Sequence, residues 1–223
     1  MTVAVVPCRN GAKTVSRVIT ESYQHVDLVV VVDNASTDET ARTASLAGAI
    51  VISCGVRGAG AATRAGIEAA LAYGGDVVVT LDADGQHDAL EIPKVLNPVV
   101  GGAADVVIGS RFLGTPIIAP RYRTVGIKAI NLAYNVGHTP ISDSQSGFRA
   151  FTKRVADACV MVERGFAFST EFLIKARKSG FRIMEVPVRC IYHKNGRDHS
   201  LNPIVHGLSV VVKTIVWRIR ERN

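Results

Sequence analysis

Two carboxylates one residue apart, Asp82 and Asp84 in Leu81-Asp82-Ala83-Asp84-Gly85-Gln86-His87, stand where an aliphatic run gives way to a polar loop. On a continuing strand they would face opposite sides. A turn after Asp82 lets both look into one cavity, where they would repel and where a divalent cation would relieve the repulsion. Hard oxygen ligands suit Mg2+ or Mn2+, with Gln86 as a neutral third oxygen, so Asp82, Asp84 and Gln86 are the candidate metal ligands. A cation held there could bridge a diphosphate and neutralise its charge as it leaves. The plainer use of such a pair is to cap the helix that follows; the strand before it favours the metal.

Arginines are the second group able to do chemistry. Arg111, Arg121, Arg123 and Arg149 all follow the acidic pair, and a guanidinium fork suits phosphate. Arg111 is the best placed, because it ends an aliphatic run; Arg121 reads as a surface charge.

These side chains need a scaffold. Thr2–Pro7, Leu28–Val32, Ala49–Ser53, Asp76–Leu81 and Asp105–Ile108 read as strands, the aliphatic ones buried on both faces. Helical spacing covers Thr14–Tyr23, Ala61–Tyr73 and Leu90–Val100, and Ser36 with Glu39 has capping-box spacing, which predicts a helix start there. A glycine-rich turn spans Gly55 to Gly60. Further on, helices are expected over Tyr122–Val136, Ser169–Ser179 and Pro203–Arg220, a turn-like stretch over Asp143–Phe148, and a strand over Arg182–Tyr192. Alternating strands and helices predict an α/β fold with a mainly parallel sheet flanked by helices. Ligands in such sheets bind beyond the carboxyl ends of the strands, where Asp33, Asp82 and Arg111 all fall.

The 223 residues carry 48% hydrophobic and 20% charged side chains and a formal net charge of +7, the composition of a globular chain with an anionic partner. Cys8, Cys54, Cys159 and Cys190 form no CxxC pair, so they read as reduced, mostly buried residues of a cytosolic protein rather than a zinc site. No signal peptide and no transmembrane run is expected. A dinucleotide fingerprint fails at Thr63, where a third glycine would stand. A nucleotidyltransferase is disfavoured because Cys8-Arg9-Asn10-Gly11 is too short for its basic glycine-rich loop. No nucleic-acid motif is present, so no nucleic acid is expected as partner.

In order along the chain come Val5-Val6-Pro7-Cys8-Arg9-Asn10, Val32-Asp33-Asn34-Ala35-Ser36-Thr37-Asp38, Arg57-Gly58-Ala59-Gly60-Ala61-Ala62, the Asp82–His87 stretch, Gly109-Ser110-Arg111, Asp143-Ser144-Gln145-Ser146-Gly147-Phe148-Arg149 and Glu185-Val186-Pro187-Val188. Each is short, but together they resemble the family 2 glycosyltransferases of GT-A fold, and within them the dolichyl-phosphate mannose synthase group with its polyprenyl-phosphate relatives. The resemblance implies a metal-dependent, inverting transfer of a hexose from a UDP- or GDP-sugar to a polyprenyl phosphate, with Mg2+ or Mn2+ as cofactor. Transfer to a hydroxyl of a glycan, glycolipid or protein is the alternative.

By the same resemblance Pro7, Arg9, Asn10, Asp33, Asn34, Gly58, Asp82 and Ala83 bind the nucleotide-sugar. Asn34 stands where the family usually has an aspartate against the base. Asp84, Arg111 and Arg123 serve catalysis, the arginines by holding phosphate. Arg123, Gln145, Ser146, Arg197 and Ser200 shape the acceptor site. Glu171 is the candidate base for a hydroxyl acceptor, its alternative being an ordinary glutamate near a helix start. The sequence departs from the family at Ala59, usually lysine, and at Asp198-His199-Ser200-Leu201, which lacks the lysine of a late Gly-x-Ser-Lys element.

A lipid monophosphate needs no general base, since its second pKa lies near ~6 and it is largely dianionic at neutral pH. The chain's task is then to hold two anionic groups together with a cation and arginines. Pro203–Arg220 mixes aliphatic residues and Trp217 with Lys213, Arg218 and Arg220, the composition of a helix lying on a membrane, with packing on the domain or a partner as the other use. The expected organisation is a GT-A domain over 1–201 and an amphipathic, membrane-proximal helix over 202–223, peripheral at the cytoplasmic face of a membrane, with oligomeric state open.

Overall fold

The computed structural model describes residues 1–114, 121–190 and 203–221 of the chain, and of 121–123 and 203–206 the backbone only. Seven strands form one sheet: β1 (Thr2–Cys8), β2 (Leu28–Asp33), β3 (Ile50–Ser53), β4 (Val77–Thr80), β5 (Val106–Ser110), β6 (Arg149–Thr152) and β7 (Ile183–Pro187), in the order β3-β2-β1-β4-β6-β5-β7. β6 is antiparallel to both β4 and β5, while the remaining pairs are parallel.

The aliphatic runs alternate between two apolar layers. Val3, Val5, Val30 and Val32 face one side, covered by α3 (Ala59–Ala72) and α7 (Phe168–Lys178). Ala4, Val6, Val29 and Val31 face the other, covered by α1 (Val15–Ser22) and α4 (Ile92–Val100). A sheet covered on both faces explains why these runs show no polar alternation. The α3 cover is close: a Cβ on Gly66 would fall 2.3 Å from Val5 Cγ1 and 2.8 Å from Val32 Cγ2.

Three elements differ from expectation. The expected helix start at Ser36 is instead a loop, because Ser36 Oγ accepts the Asn10 N–H (2.9 Å), and α2 (Thr40–Leu46) begins after Asp38, whose carboxylate accepts the Thr40 N–H (3.1 Å). The strand β6 was not expected. It has four residues, one of them charged, and tertiary pairing rather than hydropathy makes it a strand: Thr80 stands opposite Arg149 and Val78 opposite Phe151. The six-residue α6 (Lys153–Ala158) follows at once, its first turn capped by the Thr152 hydroxyl accepting from Val155 N–H. The strand expected over Arg182–Tyr192 runs Ile183–Pro187; Ile191 and Tyr192 lie outside the described residues.

Near the end of the chain α5 (Arg121–Asn135) and α8 (Pro203–Arg220) lie against each other. Val210, Thr214 and Trp217 of α8 are buried, and the Thr214 and Thr170 hydroxyls meet at 2.9 Å. Arg218 Nη1 donates to the carbonyls of Ala133 (2.6 Å) and Tyr134 (3.3 Å), and Nη2 to that of Val136, so this side chain closes the C-terminal turn of α5. The expected domain boundary near 201 falls outside the described residues.

Candidate active site

The site forms where β4 ends. The Leu81 N–H still pairs with the Val5 carbonyl (3.1 Å), and then the chain turns through Asp82-Ala83-Asp84-Gly85. Gly85 takes φ +73°, and Asp84 Oδ1 accepts the Gln86 N–H at 2.9 Å, a local turn of the kind aspartate makes. Ala83 is buried, and its carbonyl accepts from the Thr14 hydroxyl (2.6 Å), which ties the loop to the start of α1.

Asp82 stands at the mouth of a small cavity that Pro7, Thr80, Gly147, Arg149 and Phe172 help to line. Its carboxylate occupies the space that a side chain on Gly147 would take: a Cβ there would lie 3.0 and 3.1 Å from the two carboxylate oxygens. The Thr80 hydroxyl fixes that approach by donating to the Gly147 carbonyl (2.7 Å). His87 is buried beneath the loop. Its Nδ1 accepts the Asp82 N–H (3.3 Å), which leaves Nε2 to carry the ring proton, and its ring lies against Phe148.

Burial against the surrounding protein raises the pKa of Asp82, with Asp84 pushing the same way; Arg111 and Arg149 pull it down without cancelling the rise. The side chain is nonetheless 54% exposed, so the group is crowded by protein on one side and open to the cleft on the other. Such a carboxylate gains from a cation. Among the described residues no three His, Cys, Asp or Glu side chains gather as a ready-made cage. The carboxylates that could hold a cation at this edge are Asp82 and Asp84.

Arg111 follows β5, and its guanidinium is held by Asp143 in a two-pronged pair, Nε to Oδ2 at 2.7 Å and Nη2 to Oδ1 at 2.8 Å, while its own N–H reaches Oδ2 at 3.1 Å. Asp143 is fully buried. Its loop is fixed from behind by Glu185 of β7, which accepts the N–H groups of Ser142 (2.7 Å) and Asp143 (2.9 Å) and the Ser142 hydroxyl (2.9 Å). Asn131 of α5 accepts from the N–H (3.0 Å) and hydroxyl (2.7 Å) of Ser144.

Asp33, at the end of β2, is half-buried, and one of its carboxylate oxygens is buried with no hydrogen-bond partner. Arg9 is exposed just beyond β1, and Gln145 and Gln86 are half-buried. Asn10, in a left-handed conformation (φ +52°), accepts the Thr37 N–H at 2.8 Å and so braces the loop after β2.

Several residues expected at ligands also make hydrogen bonds or close contacts within the fold. Asn34 was expected against the base; its amide donates to the Val56 carbonyl (2.7 Å) and accepts the Gly58 N–H (3.0 Å), so it shapes the glycine-rich turn. Gly58, expected at the nucleotide, takes φ +140° because the chain at Arg164 is so close that a Cβ would lie 2.2 Å from its carbonyl oxygen. That same carbonyl accepts the N–H groups of Gly60 (2.9 Å) and Ala61 (3.3 Å), so the start of α3 is satisfied by protein. Ser146, expected at the acceptor, is fully buried and donates to the Gly109 carbonyl (2.7 Å).

Glu171, nominated as a base, is fully buried on α7. Its two oxygens accept the N–H groups of Val162 and Glu163, both at 2.8 Å, and Lys175 Nζ sits 2.7 Å away. Its work is to hold the loop that packs on the glycine-rich turn. The side chain of Arg123, and Arg197 and Ser200 altogether, lie outside the described residues.

Arg149 was singled out only as one of several arginines. It is 3% exposed, donates to the carbonyls of Ser169 (3.0 Å) and Ser144 (2.8 Å), and its Nε is buried without a partner. Burial pushes its pKa down to about 10. The sequence signal that could have found it is its position beside Ala150-Phe151, a charge heading a buried strand.

A profile for glycosyl transferase family 2 matches residues 3–159. A UDP-N-acetylglucosamine–dolichyl-phosphate N-acetylglucosaminyltransferase of Methanococcus voltae is 28% identical over 96% of this chain and 95% of its own. An undecaprenyl-phosphate mannosyltransferase of Micrococcus luteus is 31% identical over 87% of this chain and 83% of its own. Among solved structures, glucosyl-3-phosphoglycerate synthase from Mycobacterium tuberculosis, crystallised with Mn2+, UDP and phosphoglyceric acid, superposes with a TM-score of 0.75 at 21% identity, covering 99% of this chain and 78% of that one. The shared architecture is the GT-A fold.

Two outcomes follow from this geometry. Asp82 keeps its proton in the folded chain to higher pH than in the unfolded one. Stability therefore falls as pH rises from the ordinary carboxylate range to the raised pKa, and the loss persists above it. Asp82→Asn is expected to melt higher than the natural chain at neutral pH without metal, and to lose any rise in melting temperature that Mn2+ gives. A lower melting temperature for the variant would contradict the assignment. Glu171→Gln breaks a buried ion pair and is expected to cost about 3 kcal/mol in urea unfolding. Turnover per folded molecule should stay close to natural; a selective collapse of kcat would return Glu171 to the chemistry.

Proposed function

Because the chain belongs to glycosyl transferase family 2, we propose that this glycosyltransferase moves a hexose, with inversion, from a UDP- or GDP-sugar to a polyprenyl phosphate, with Mg2+ or Mn2+ held by Asp82 and Asp84. The observation that carries the reading is one sheet edge where Asp82, its pKa raised by burial and by the neighbouring Asp84, stands near a guanidinium fixed by a buried carboxylate. That arrangement serves the joining of two anionic groups. The relatives named for transfer to dolichyl phosphate and undecaprenyl phosphate support the acceptor class.

The cation would neutralise the diphosphate as it departs. The rest falls to the chain. Asp33 offers an unpartnered acceptor to a base N–H, which uracil and guanine both possess. Pro7 and Gly147 bound the space beside Asp82. Arg111, already aligned by Asp143, draws the acceptor phosphate toward the anomeric carbon, and the family resemblance assigns Arg123 and Gln145 to the same phosphate. A phosphate oxygen forms the new bond to that carbon as its bond to the diphosphate breaks. No proton needs removing from a phosphate dianion. A hydroxyl acceptor would need a base, and the residue nominated for that role is committed to backbone N–H groups.

A lipid acceptor calls for contact with a membrane surface. Val125 and Leu132 on α5, Val136 just after it, and Leu208, Val212, Ile215, Val216 and Ile219 on α8 are each 40–70% exposed. At helical spacing these residues form one outward stripe on each of two neighbouring helices, opposite the buried Val210, Thr214 and Trp217. Such a surface suits a peripheral position on a bilayer. Among the described residues no helix is long and apolar enough to cross one.

Incubating the chain with Mn2+ or Mg2+, a panel of UDP- and GDP-sugars and a polyprenyl phosphate should yield a sugar–phosphate–lipid by mass spectrometry. Chelation should abolish it, and Asp84→Ala should lower the rate about a hundredfold or more. Transfer to phosphoglycerate or to a hydroxyl acceptor, with none to the lipid, would overturn the acceptor assignment. Leu208→Glu combined with Val212→Glu should weaken sedimentation with anionic vesicles while leaving the melting temperature near natural. Unchanged sedimentation would sink the membrane contact.

A further inference from the structure

A second cleft opens between the C-terminal ends of α5, α7 and α8 and the side of β7, with a volume of about 580 Å3, well within the range of small-ligand sites. Its walls are apolar at Pro140, Ile141, Ile174, Phe181 and Ile183. Arg177 is its prominent cation. The guanidinium lies 4.3 Å from the centre of the Tyr134 ring, and Nη2 donates to the Thr139 carbonyl. Nη1 is buried and has no hydrogen-bond partner. Burial lowers the pKa of this arginine and Arg218 pushes the same way, while Tyr134 and Glu185 oppose the fall without cancelling it.

The carboxylates that also line the cleft are already committed. Glu185 accepts from Ser142 and Asp143, and Glu221 stands 3.3 Å from Lys178. Arg218, on the same wall, is committed to the carbonyls at the end of α5. A stacked, oriented guanidinium with an unused donor, on the wall of a space lined by apolar and charged side chains in similar measure, can receive an acceptor oxygen from outside.

We propose that this cleft is a second ligand site, for an anionic phosphate or carboxylate group carried on an apolar body, with Arg177 holding the anion. It is separate from the cleft of Asp82 and does not depend on the transferase reading, because what tests it is binding rather than turnover. Glu185 lies on its wall and also fixes the loop of Asp143, so an occupant would stand one side chain from the support of Arg111.

The test titrates the full chain, by calorimetry and melting temperature, with octyl phosphate below its micelle concentration, inorganic phosphate and octyl glucoside. Octyl phosphate should bind saturably and octyl glucoside should not. Arg177→Gln should weaken octyl phosphate about tenfold or more, the worth of a charge-assisted hydrogen bond. Should that variant unfold, Arg177→Lys keeps the charge but loses the fork and should still weaken binding, while Phe181→Ala should weaken octyl phosphate more than inorganic phosphate. Equal affinity for inorganic phosphate would name a free anion as the ligand; a clear preference for octyl phosphate would name an amphiphile such as a lipid. Absence of saturable binding, or binding unchanged by both Arg177 variants, would overturn the site.

Discussion

Glu185 sets the position of the cleft's best-placed cation without touching it. It is carried on β7, at one edge of the sheet, and its carboxylate gathers two backbone N–H groups and a hydroxyl from residues 142 and 143. That fixes Asp143, and Asp143 fixes Arg111 through two parallel hydrogen bonds. A long flexible arginine would otherwise lose much rotamer freedom on meeting a ligand. Here that cost is met in folding, by a relay that starts in a strand. The same loop continues to Gly147, whose bare Cα leaves room for Asp82, and to Arg149, the first residue of β6. Cation and carboxylate therefore share one scaffold segment, inserted between the two halves of the sheet.

The parts of this arrangement legible in the sequence are those where composition alone decides. Four of the five aliphatic runs are strands buried on both faces, the fifth, β3, being a half-buried edge strand, and Asp33, Asp82 and Arg111 fall at or just past strand ends, as their places after Val32, Leu81 and Ser110 suggest. β6 was not legible, because Arg-Ala-Phe-Thr carries no periodic signal in four residues and owes its conformation to the strands either side. The polar residues of the motifs were harder still. Asn34, Ser146 and Glu171 have side chains that could equally meet a ligand or a backbone group, and sequence does not say which; burial does. All three turn inward, to Val56 and Gly58, to Gly109, and to Val162 and Glu163.

The glycine-rich turn illustrates the same ambiguity from the other side. Glycines ahead of a helix suggest a cradle for phosphate. Gly58 and Gly60 are instead small because the segment at 163–165 lies against them, and its Arg164 carbonyl occupies the helix N-terminus. Glu171 holds that segment by its N–H groups. A carboxylate on α7 and two glycines before α3 are thus parts of one joint, although nothing in their sequence spacing links them.

The tail was expected as an appendage, yet Arg218 makes it a structural member. Its guanidinium supplies the donors that the last carbonyls of α5 lack, and Trp217 is buried in the same interface. α5 in turn carries Asn131, which holds Ser144. A chain cut before Pro203 would therefore lose more than a tail: it would have a frayed helix end two steps from the loop that aligns Arg111.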